Sequence, residues 1–116
     1  VGFLRNLPEE LMGAFRATLE ELHDADLLLH VADISSPTLE RQVAVVEGIL
    51  RELGLDRVPR VLALNKADRV DPDQAAILSA RLGGVAVSAV RPETLLLLLE
   101  AVEKRLWRLT QAVLPC

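Results

Sequence analysis

Cysteine occurs once in this sequence, at the last position, Cys116, so no disulfide can close within the chain. That excludes the stapled scaffolds of small secreted proteins, fits a reducing compartment, and makes the cytoplasm the expected location. Long apolar runs are missing too. The leucine stretch from Leu95 to Leu99 is far too short to span a bilayer and runs into Glu100, Glu103 and Lys104. Neither a membrane segment nor a signal peptide is expected in these residues. Positive charge is in deficit, with a formal net charge of −4. This argues against nonspecific binding of nucleic acid, which is driven by phosphate neutralisation, so any RNA contact would have to be local. Lysine is scarce, two residues against eleven arginines, a ratio read as coding bias rather than as a phosphate-binding device. Aromatics make up 3% of the chain, and Trp107 is expected to pack at a helix edge rather than stack on a base. No repeat or low-complexity linker is present.

The 116 residues, 51% of them hydrophobic, suit one compact domain with an ample core. Hydrophobic periods switch regularly between helix and strand. Pro8 opens an expected helix carrying Leu11, Phe15, Leu19 and Leu22 on one stripe. After Asp26, the run Leu27-Leu28-Leu29-His30-Val31-Ala32 has the continuous apolar character of a strand buried on both faces. His30 within it is read as a hydrogen-bonded core histidine rather than a ligand. Asp24, Asp26 and Asp33 are read as capping strand and helix ends rather than as a metal cluster. Ser36-Pro37 reads as an N-cap with a first-turn proline, followed by Leu39, Val43, Val46, Leu50 and Leu53 on one helical face up to Gly54. Pro59 leads into a strand over 60–64. Asp71-Pro72 with Gln74 resembles a capping box, opening a helix that stops at Gly83-Gly84. A third strand covers 85–88, and from Pro92 a long helix carries Leu95, Leu98, Leu99, Val102, Leu106 and Leu109.

Such alternation, with short connections, implies parallel strands joined by crossovers and a three-layer αβα sheet. Only three strands are visible, near 27–33, 60–64 and 85–88, and the first residue is Val1 rather than methionine. An N-terminal part of the domain is therefore expected to lie outside this sequence.

The most informative stretch is Asn65-Lys66-Ala67-Asp68, at the point where Val61-Leu62-Ala63-Leu64 stops. Ligands of open α/β sheets collect beyond the carboxyl ends of the strands, where this quartet falls. Both carboxylate oxygens of Asp68 can accept from the adjacent ring N–H and exocyclic amine of guanine, a charge-assisted bidentate pair. Adenine presents a lone pair at that edge and lacks the amine, a mismatch that can give roughly 10⁴-fold discrimination. Asn65 can bond base or loop through its amide, and the Lys66 stem can cover the base face while its ammonium reaches a phosphate-binding segment. Ser88-Ala89-Val90, after the third strand, can aim backbone N–H groups at the guanine carbonyl. Turn formation by Asp68 alone would account for the first site; the second, falling at the end of another strand, favours a guanine pocket.

Asn-Lys-x-Asp followed about twenty residues later by Ser-Ala resembles the guanine-specificity half of P-loop GTPases. The opening Val1-Gly2-Phe3-Leu4-Arg5-Asn6-Leu7-Pro8, with Leu11 and the stretch Ala14-Phe15-Arg16-Ala17-Thr18-Leu19-Glu20-Glu21, resembles the HflX family of that superfamily over nearly the whole chain. Two departures stand out: Asn6 where the family often has Asp, and Arg91-Pro92-Glu93 in place of a glycine-containing turn. The resemblance implies a partial P-loop GTPase fold, with residues 1–116 forming the C-terminal portion of a G domain. Val1, Gly2 and Phe3 would be a switch remnant, with the Gly2 N–H meeting the terminal phosphate, and Asn65, Lys66, Ala67, Asp68, Ser88, Ala89 and Val90 would contact the nucleotide. It also implies GTP or GDP with Mg²⁺ as ligands of the intact protein, GTP hydrolysis, and association with the large ribosomal subunit in rescue or splitting of stalled ribosomes under stress.

No Gly-rich loop ending in Lys-Ser/Thr occurs in the 116 residues. The phosphate cradle, its lysine and the magnesium-binding hydroxyl are thus missing, and hydrolysis by this chain alone is not expected. No metal ligand is assigned. Phe3 stands where related enzymes often place a water-orienting glutamine, so either the intact enzyme needs its ribosomal partner to order water, or Phe3 simply packs under the switch helix. Exposed apolar edges make self-association of the fragment an expected property. Two other readings remain: another ribosome- or RNA-linked GTPase, and a non-enzymatic flavodoxin- or receiver-like module.

Overall fold

The computed structural model describes residue 17 and residues 21–113, with side chains described up to residue 108. The switch remnant at Val1, Gly2 and Phe3 and most of the expected first helix lie outside the described residues. Leu22 belongs to a short 3-10 turn, Glu21–Asp24. Three strands follow, β1 (Leu28–Asp33), β2 (Arg60–Asn65) and β3 (Gly84–Ala86), interleaved with α1 (Leu39–Glu52), α2 (Pro72–Leu82) and α3 (Pro92–Val113). The sheet is parallel throughout, in the order β1-β2-β3.

Register fixes the faces, because successive side chains of a strand point to opposite sides. His30 pairs with Leu62 and Ala32 with Leu64, while Leu62 and Leu64 pair with Gly84 and Ala86. Against this face pack α1 and α2. Leu39 and Val43 of α1 and Ala75 of α2 are buried with Ala32, Ile34, Leu64 and Ala67. Val46 and Leu50, continuing the α1 stripe, join Leu28 and Leu55 in a second cluster. On the opposite face Val61 and Ala63 are buried, and α3 runs against β2 and β3. Helices on both faces make this a three-layer, Rossmann-like α/β arrangement.

The helix stops are built as their residues dictate. Gly54 adopts φ 73°; its N–H donates to the Arg51 carbonyl and the Leu55 N–H to that of Leu50, a Schellman ending that delivers the fully buried Leu55 to the core. Gly83, at φ 70°, ends α2. Asp71 caps the start of α2 by accepting the Asp73 N–H, with Pro72 in the first turn; no reciprocal bond from Gln74 completes a box among the described residues.

Several expectations are corrected. β1 is not buried on both faces: α3 packs chiefly against β2 and β3, and Leu29 and Val31 stand 49% and 56% exposed among the described residues. His30 is half-buried and its ring makes no hydrogen bond among the described residues; burial, then the nearby Arg60 charge, holds it below its ordinary pKa. Ser36 is not the N-cap of α1. The Leu39 N–H closes a tight turn on the Ser36 carbonyl, the Ser36 hydroxyl accepts the Thr38 N–H, and Thr38 takes the cap position. Gly84 belongs to β3 rather than to the turn: a Cβ there would lie 3.0 Å from the Leu64 side chain, which would have to give way by a few tenths of an ångström. On α3 the inward residues are Leu98, Ala101 and Val102, while Leu95, Leu99 and Leu106 are exposed and Trp107 is open to solvent rather than packed at the edge.

Candidate functional site

The site is built where β2 and β3 end. After Asn65 the chain turns at Lys66, which has φ 64° and ψ 35° and is the one non-glycine residue with positive φ among the described residues. Ala67–Arg69 then form a 3-10 turn. Ala67 is buried, and its N–H donates to the Val87 carbonyl at 3.0 Å, while the Val87 N–H donates to that of Leu64 at 2.9 Å. The ladder between β2 and β3 thus continues past β3 into both loops. Sequence brings Asp68 and Ser88 only to the ends of different strands; these backbone bonds bring them together.

The Ser88 hydroxyl donates to Oδ1 of Asp68 at 2.6 Å and accepts the Val90 N–H at 3.3 Å. Ser88 is wholly buried, so its orientation is fixed. Asp68 is exposed, and its carboxyl lies below the ordinary carboxylate range chiefly because of the Ser88 hydroxyl, against an opposing desolvation. A carboxylate offers about four lone-pair positions. One serves Ser88, which leaves acceptor capacity on both oxygens.

The Ser88 loop is a closed turn. The Arg91 N–H donates to the Ser88 carbonyl at 3.1 Å, and the Thr94 side chain locks it: Thr94 Oγ1 accepts the Ser88 N–H at 2.8 Å and donates toward the carbonyls of Arg91 and Ser88. Sequence alone does not mark Thr94 as a site residue. Its signal is its place in the first turn of a helix opened by Pro92, where a hydroxyl can reach back to loop backbone. With the Ser88 and Val90 N–H groups engaged, the Ala89 N–H is the one in this trio without a partner among the described residues.

At the neighbouring strand end, Asp33 pairs in register with Asn65. Its Oδ1 accepts both the hydroxyl and the N–H of Ser35, at 2.6 and 2.9 Å, and its Oδ2 accepts from Lys66 Nζ at 3.3 Å. These bonds make Asp33 a strand-end cap. Among the described residues no three His, Cys, Asp or Glu side chains gather as a metal would require, so no step is assigned to Mg²⁺ here. An open concavity runs along β1 beside α1, with Leu29, Val31 and Asp33 on its wall. It is mainly apolar and meets the polar loops only at Asp33.

The fold and the loops at its carboxyl rim define a parallel α/β protein of Rossmann-like type. Its sequence then places it in the HflX family of GTPases. Over 111 residues it is 47% identical to GTPase HflX of Gluconacetobacter diazotrophicus, with 87% of this chain and 24% of that protein covered. GTPase HflX of Caldanaerobacter subterraneus is 41% identical over 97% of this chain and 26% of its own length, and that of Escherichia coli 39% identical over 61% and 17%. The chain spans about a quarter of the length of the curated relatives it matches. No family model and no solved structure matches it. No helix among the described residues is long and apolar enough to cross a membrane.

Proposed function

We propose that this chain supplies the guanine-recognition half of the G domain of an HflX-type GTPase, with residues 1–116 as the C-terminal portion of that domain. One contact carries the reading: the 2.6 Å bond from Ser88 to Asp68, which unites the two loops whose residue types suit guanine. Asp68 accepts from the ring N–H and exocyclic amine. The Ala89 N–H, left over when Thr94 and Ser88 have taken its neighbours, donates to the base carbonyl. Lys66 covers a base face with its stem, and Asn65 stands at the strand end for loop or base contact. Val1 and Gly2, outside the described residues, belong in this reading to the terminal-phosphate side.

The intact protein would bind GTP and GDP, use Mg²⁺ at residues outside this segment, and hydrolyse GTP in the cytoplasm in association with the large ribosomal subunit. The family name of its relatives supports the nucleotide and the hydrolysis. The ribosomal partner rests on the family resemblance. The segment alone, without a phosphate loop, would be inactive. The test is a titration of the intact protein with GDP and ADP: guanine preference by orders of magnitude is expected, and equal affinity would remove the assignment.

A further inference from the structure

We propose that Asp33 is a positioning residue for the guanine site, anchoring the Lys66 ammonium so that the lysine stem is held across the mouth before ligand arrives. The inference rests on the guanine reading above. The bonds from Ser35 to Oδ1 hold the Asp33 carboxylate in one orientation and leave Oδ2 directed at Lys66 Nζ, 3.3 Å away. The lysine is then fixed at both ends, by its left-handed backbone and by its ammonium. A long side chain restrained in this way has already lost the rotamer freedom that binding would otherwise remove. The alternative is that the pair stabilises the fold. With the lysine and aspartate side chains 45% and 34% exposed, it is a solvated surface pair of the kind that contributes little to stability. The Ser35 bonds come first among the causes that keep Asp33 below the ordinary carboxylate range, so it is ionised at neutral pH.

The experiment is a double-mutant cycle in the intact protein, reading GDP affinity, GDP dissociation rate and thermal unfolding for wild type, Asp33→Asn, Lys66→Met and the double variant. In Asp33→Asn the Ser35 bonds keep the amide oxygen on their side and turn its NH₂ toward the ammonium. GDP affinity is expected to fall about fivefold, through faster dissociation, in the wild-type background and to be unchanged by the same substitution in Lys66→Met. Asp33→Asn weakens the charge-assisted Ser35 bonds, so the melting temperature should fall slightly and by the same amount in both Lys66 backgrounds, with affinity read well below it. An equal loss in both backgrounds, a loss that tracks unfolding, or undiminished affinity in Asp33→Asn would each overturn the positioning role while leaving guanine preference intact. A wild-type protein that takes ADP as readily as GDP would instead overturn the underlying reading, and this inference with it.

Discussion

Asp68→Asn probes the site at its most informative atom pair, and the geometry fixes which way the new amide faces. The buried Ser88 hydroxyl donates to one side of residue 68 at 2.6 Å, so the amide keeps its oxygen there and turns its NH₂ toward the base. One acceptor for guanine becomes a donor opposing a donor. Fully enclosed sites built for a hydrogen-bonding group reject the wrong analogue by about 10⁴-fold or more. Asp68 is exposed, and water can relieve part of the mismatch, so the expected loss for GDP in the intact protein is smaller, about a hundredfold. Xanthosine diphosphate carries an oxygen where guanine carries its amine and should gain what GDP loses. Competition titrations with both nucleotides read the exchange. A second substitution sharpens the test: in Ser88→Ala/Asp68→Asn nothing holds the amide, it can rotate its oxygen back to the base, and the xanthine advantage should shrink. GDP affinity within about threefold of wild type, with no gain for the xanthine nucleotide, would refute the whole geometric argument.

Further expectations concern the scaffold beneath the site, each read by denaturant or thermal unfolding of the intact protein. Leu64, fully buried in the strand that carries Asn65, should cost about 2–5 kcal/mol when truncated to alanine, by lost transfer energy and the cavity left behind. Gly84→Ala should destabilise by about 1–3 kcal/mol, because the added methyl meets packed Leu62 and Leu64 side chains at 3.0–3.2 Å. It should also weaken GDP binding by shifting Leu64. Gly54→Ala has room, with only His23 at 3.7 Å, but sits at φ 73°; a cost of about 1 kcal/mol is expected, and less for Gly54→Asn. His30 has a folded pKa depressed from 6.5 by burial, then Arg60. The unfolded chain therefore binds more protons, and stability, full above 6.5, should decline as pH falls below it. His30→Gln should flatten the decline between pH 7.5 and 5.5; an unaltered slope would clear this histidine.

Where function depends on local signals, the sequence was informative. Gly54, Gly83 and the Asp71-Pro72 pair mark helix ends through backbone conformations that few residues adopt, and Val61 to Leu64 can only be a core strand. Asn65 to Asp68 and Ser88 were legible as candidates because strand ends in parallel sheets face one way. Non-local facts were not. The exposure of Leu29 and Val31 depends on how far α3 reaches, and the inward face of α3 cannot be picked from a helix in which Leu95 to Leu99 offer leucine on every side. Gly84 looks like a turn residue until Leu64 is seen beneath it. Thr94 looks like an ordinary first-turn residue until its hydroxyl is found holding the Ser88 turn.

Lys66 has a further consequence for anyone altering this loop. A left-handed backbone costs a non-glycine residue about 1–2 kcal/mol, so the bend at φ 64° is maintained by its surroundings, like a latch closed against a spring. Lys66→Gly would remove the tension and the side chain together, so a stabler protein with poorer nucleotide affinity would be an unsurprising result. Asparagine, which tolerates the same bend, separates the two effects and is the better replacement for measuring the contribution of the lysine side chain.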